Sequence, residues 1–146
     1  MEALQKYLYV QEQAGLKVLS CHIQSVVSLY GSGLCCRLAE LLSVHAQLPL
    51  QQGGLGSSVV FIDGGNSFNP YFVTSVAKAW NLNPQEVLKN IWVSRAFTCH
   101  QLLSLIFEKL PEALNKSHSR LVVVSSLPEL FCDPDVPRSE ALGSFN

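Results

Sequence analysis

Several things are missing from this chain. No uninterrupted apolar run approaches the ~20 residues that span a bilayer. The opening MEALQKYLYVQEQ carries charge of both signs and lacks the apolar stretch of a secretory leader. Its ten lysines and arginines are scattered singly against eleven acids, so a formal charge of −1 offers no basic face for nucleic acid. The five cysteines, at 21, 35, 36, 99 and 132, contain no CxxC and no framework spacing. These absences exclude a membrane span, a strongly basic DNA-binding module and a disulfide scaffold. They favour a reduced, soluble, cytoplasmic protein. The pairs Cys21-His22, Cys35-Cys36 and Cys99-His100 invite zinc, but adjacent side chains point to different sides, so core cysteines are expected and no metal site.

What is present is one domain's worth of chain, 146 residues with 48% hydrophobic side chains. Residues 1–23 read as an N-terminal helix, Glu2 to Gln13, stopped by Gly15, with a β-rich lead-in. Residues 24–132 form the core, and 133–146 a polar tail. Within the core, Val26, Val27 and Leu29 make a short apolar run closed by Tyr30-Gly31, the pattern of a strand buried on both faces. From Leu34 the period changes: Leu34, Leu38, Leu41, Leu42 and His45 share one helix face, with Arg37, Glu40 and Ser43 pointing elsewhere.

The glycine-rich LQQGGLGSS separates this helix from a second strand, VVFID (Val59 to Asp63). A helix over 70–80 follows, then one capped by Asn83 with Pro84 at its first position. NIWVSRAF is a third strand. Thr98 to Leu110 is an amphipathic helix with Cys99, Leu102, Leu103, Ile106 and Leu110 on one face, and RLVVVSSLPELF holds a fourth strand. Strands alternating with helices predict an α/β fold, a mainly parallel sheet with helices on both faces. Ligands collect beyond the carboxyl ends of such strands. That edge gathers Gly31, Ser32, Gly33, Asp63, Arg95 and Ser125.

Four segments, in order, resemble the core of the RecA/RadA recombinase superfamily, a P-loop NTPase fold. VVSLYGSG and the following LCCRLAELLSVHAQLP resemble the family's first strand, phosphate loop and helix. GGLGSSVVFIDGGNSFNP resembles its GGLNGKVVYIDTEGTFRP, NIWVSRAFTCHQLLSLI its third strand and helix, and SRLVVVSSLPELF its Walker B strand. The departures from that pattern cluster at the strand ends. Only Ser32-Gly33 separate Tyr30-Gly31 from Leu34, so the loop is short and the family's lysine and threonine are gone. The glutamate of DTEG falls on Gly65, and the Walker B aspartate on Ser125. The family core also continues well past its Walker B strand into loops that hold single-stranded DNA, so the resemblance implies a core that is short at its C-terminal end.

These losses argue against ATP hydrolysis: too few amides converge to cradle phosphates, and nothing neutralises them or ligates Mg²⁺. No cofactor is expected, with ATP and Mg²⁺ bound only if Gly31, Ser32 and Gly33 still form an anion site; a tight turn is the plainer reading. Asp63 is either a residual ligand or the cap of the next turn. Arg95 and His100 are either a partner contact or an ordinary helix-cap arrangement. The resemblance then implies a non-catalytic paralog in recombination and repair, working through a recombinase or paralog partner with little or no DNA binding of its own. Two other readings stay open: an ATPase subunit completed by a partner, and a remnant without selected activity.

Overall fold

The computed structural model describes residues 7–9, 20–22, 25–29 and 34–131. In chain order its elements are β1 (Tyr7–Tyr9), β2 (Ser20–His22), α1 (Leu34–His45), β3 (Val59–Asp63), α2 (Pro70–Ala79), α3 (Pro84–Lys89), β4 (Ile91–Arg95), α4 (Cys99–Ser104), α5 (Leu110–Ser117), β5 (Leu121–Ser125) and α6 (Leu127–Phe131). A single 3₁₀ turn, Leu50–Gln52, interrupts the loop before β3.

Alternation along VVFID decides the layering. Val59 and Phe61 point into one apolar cluster with Leu42, Val44, Val73, Ala77 and Val87, beneath α1, α2 and α3. Val60 and Ile62 point the other way, to Leu102, Leu105, Leu110 and Leu114 of the α4–α5 layer. Every residue of β3 is buried, and each fully buried Val, Ile or Phe stabilises by roughly 1.5–3 kcal/mol. The strand therefore belongs in the middle, and both of its neighbours are parallel to it: the order is β4-β3-β5. The register sets Asp63 opposite Arg95 on one side and Ser125 on the other. This is the expected α/β arrangement, with helices on both faces of a parallel sheet.

The caps follow the sequence closely. Asn69 accepts hydrogen bonds from the amides of Tyr71 and Phe72 at the start of α2, and Asn83 from that of Gln85 at α3. In the GGLG loop, a Cβ on Gly54 would collide with the carbonyl of Leu48, so only glycine fits beneath the end of α1.

Four expectations are corrected. Tyr7–Tyr9 is not helical; it pairs antiparallel with Ser20–His22, and aromatic, β-favouring residues suit that pairing. Residues 25–29 form no strand, and Val26 is 97% exposed. A doubly buried strand needs sheet on either side, and the ladder of described strands is β4-β3-β5 without this segment. In α1, Glu40 and Ser43 are fully buried while Leu34 is exposed, because the helix packs against α2 as well as over the sheet. The helix expected to end at Leu110 continues to Ser117 through a wide π turn, Leu105–Lys109, in which the Leu110 amide reaches back five residues to the carbonyl of Leu105. That slip precedes Pro111, which lacks an N–H and would clash in an unbroken α-helix.

Candidate functional site at the strand ends

Asp63 ends β3 and is wholly buried. Its Oδ1 accepts from the Ser67 amide at 3.0 Å, the Ser67 hydroxyl at 3.2 Å and the Ser125 hydroxyl at 3.0 Å. Its Oδ2 accepts from the Phe68 amide at 3.0 Å, and Arg95 Nε lies 3.8 Å away. Burial alone pushes the carboxyl pKa up. The amides of Ser67 and Phe68 and the two hydroxyls outweigh it and hold Asp63 below its ordinary value. The group is thus an ionised carboxylate with its oxygens committed, and it caps the turn from Gly64 to Phe68 through amides four and five residues on.

The backbone around it is close-drawn. The Gly64 amide donates to the Ser125 carbonyl at 3.1 Å, and a Cβ on Gly64 would sit 2.8 Å from that oxygen. Asn66 and Ser126 both hold left-handed backbone, at φ 48° and 54°. Asparagine tolerates that region, whereas serine does so at a cost of order 1 kcal/mol. Strand ends β3 and β5 are therefore joined by backbone, by the Ser125 hydroxyl and by two tight turns.

Arg95, about half exposed, is the positive charge that the register brings beside Asp63. His100 lies exposed in the first turn of α4. The start of that helix is capped locally: the Gln101 amide donates to the Thr98 hydroxyl at 3.2 Å, and the Phe97 amide donates to Gln101 Oε1 at 2.8 Å. Gly31, Ser32 and Gly33 lie outside the described residues. Cys99 is buried, Cys35 and Cys36 are half-buried, and none is in a disulfide. Among the described residues no three His, Cys, Asp or Glu side chains gather as metal ligands would. Nor is any described helix long and apolar enough to cross a membrane.

Sequence reasoning missed a second buried carboxylate. Glu40 of α1 accepts from the Asn69 amide at the cap of α2 and from Arg37 Nη1 at 2.9 Å. Arg37 in turn lies over the Phe72 ring, 5.0 Å from its centroid, a cation–π contact. The signal in the sequence is slight: an Arg and a Glu three apart on a helix. His45 falls on the buried face where the periodicity places it. Its ring meets Trp80 edge-on at 5.7 Å, its Nδ1 is buried without a hydrogen bond, and burial lowers its pKa.

A family model described as Rad51 matches residues 13–140. A DNA repair and recombination protein RadA from Cenarchaeum symbiosum (strain A) is 34% identical over 122 residues, which cover 83% of this chain. The chain spans only 28% of that relative's length.

Proposed function

Because the chain belongs to the Rad51 family, we propose that it serves DNA recombination and repair as a non-catalytic relative, by contact with an active recombinase or another paralog. The observation that carries this reading is the outer edge of β4. It is an end strand of the described sheet, and it presents Trp92 (41% exposed) and Val93 (37%), with Phe97 (66%) just beyond. Exposed apolar edge strands are templates for another chain. A cleft of about 300 Å³ runs beside it, lined by Val60, Ile91, Trp92, Val93, Ser94 and Ala113 with Lys89 at its rim. Arg95 and His100 extend the surface at the strand's carboxyl end.

The non-catalytic part of the reading rests on Gly65 and Ser125, which stand where the family pattern has its two acids. A cytoplasmic location and weak DNA binding, from a chain of net charge −1, complete it. The test has two arms. The thermal midpoint is measured with and without millimolar Mg-ATP; occupancy at one hundred times Kd would add about 2.7 kcal/mol of stability, and the proposal expects no shift. Gel filtration with a purified RadA-type recombinase should show a complex that Trp92→Glu disrupts. Hydrolysis of ATP appearing only in the mixture would instead favour a subunit completed by its partner.

A further inference from the structure

The fold family implies a nucleotide with Mg²⁺ at the carboxyl ends of the strands, and the donors present can be tested against that ion. Magnesium takes about six oxygens in near-octahedral geometry and keeps several waters. Asp63 is the acid that the three strand ends share, and it is 0% exposed. Four N–H and O–H groups already point their hydrogens at it, and a guanidinium faces Oδ2. A cation there would displace donors, stand against Arg95 and find no room for its waters. Ser125 is decisive. It occupies the strand position facing Asp63 across the ladder, is itself buried, and brings a donor where a second carboxylate would bring an acceptor. The residues do not fit the ion.

We infer that the Ser125–Asp63 hydrogen bond closes this strand-end corner to divalent cations, a hydroxyl clasp standing in the place of a metal. The sheet gains a permanent link between β3 and β5 that needs no ion and cannot be switched by one. The inference does not depend on the partner reading: a chain that bound no recombinase would still show it, and a chain that bound one could fail it.

The experiment titrates Mn²⁺ into the wild-type chain and follows free ion by electron paramagnetic resonance, with Asp63→Asn in parallel. The expected result is no stoichiometric binding at millimolar ion in either. One-site binding by the wild type that Asp63→Asn removes overturns the inference. Ser125→Ala, in cation-free buffer, should lower the thermal midpoint by several degrees; an unchanged midpoint overturns the clasp. Ser125→Asp supplies the positive arm. Its midpoint should rise with Mn²⁺ while that of the wild type stays fixed, and a folded Ser125→Asp protein indifferent to Mn²⁺ would overturn the assignment to Ser125. Should that variant not fold, the wild-type and Ser125→Ala measurements decide alone.

Discussion

Asp63 and Glu40 are both carboxylates with no solvent exposure, yet they are held in opposite ways. Asp63 is surrounded by four hydrogen-bond donors, two of them backbone amides of its own turn. Glu40 has two described donors, and both connect it outward: Arg37 on its own helix and the amide of Asn69, 29 residues away. The first is a knot within the sheet edge; the second is a pin between two helices. The contrast shows that burial alone does not rank a charged group. The number of donors left stranded when it is removed does.

Asp63→Ala is the largest test of that contrast. It orphans four donors from two segments, the Ser67–Phe68 turn and Ser125, and should cost about 3–5 kcal/mol in a urea melt. Glu40→Ala strands the Asn69 amide, but Arg37 is 44% exposed and rehydrates, so about 1–3 kcal/mol is expected. Equal losses for the two would refute the donor-count argument. Acid separates Asp63 from a third buried group, His45. His45 and Asp63 both have folded pKa values below their unfolded ones, so the unfolded chain takes up protons first and stability falls as pH falls. The decline from His45 begins near pH 6.5, that from Asp63 only below about pH 4. Unfolding followed against pH should lose the upper step in His45→Phe and the lower one in Asp63→Asn. Arg95→Ala should be the smallest effect, under about 1 kcal/mol, because the guanidinium is half in water and 3.8 Å from its partner; a larger loss would make Arg95 part of the knot.

Local pattern was legible where partners are near in sequence. VVFID and Asn83-Pro84 announce their elements through an apolar run and a cap, and the three-strand core follows. Asp63 was readable as a strand-end cap because its amide donors are Ser67 and Phe68. Its fourth donor, Ser125, lies 62 residues away, and no local period points there. Glu40 failed for the same reason: helical periodicity sorts apolar from polar and assigns a glutamate to water unless its distant partner is known. The segment from Val26 to Leu29 failed differently. Its residues favour a strand, but a strand is a relation between segments, and the sheet of described strands does not include it.

The wide turn at Leu105–Lys109 has a consequence for how this chain tolerates changes of length. It absorbs one extra residue, so the helix before it and the helix after it keep a common phase, with Leu102 from one and Ala113 and Leu114 from the other on the same face of the sheet. One residue of α-helix is about 100° of rotation. The Leu110 amide reaches Leu105 where an α-helix would reach Ile106, so the turn holds one residue more than a regular turn. Removing one would restore the spiral and leave Ala113 and Leu114 over Val60 and Ile62, with the cost falling on Pro111, whereas adding one would swing them away. The turn is an absorbed insertion, so the spacing between Leu102 and Ala113 tolerates the loss of one residue far better than the gain of one.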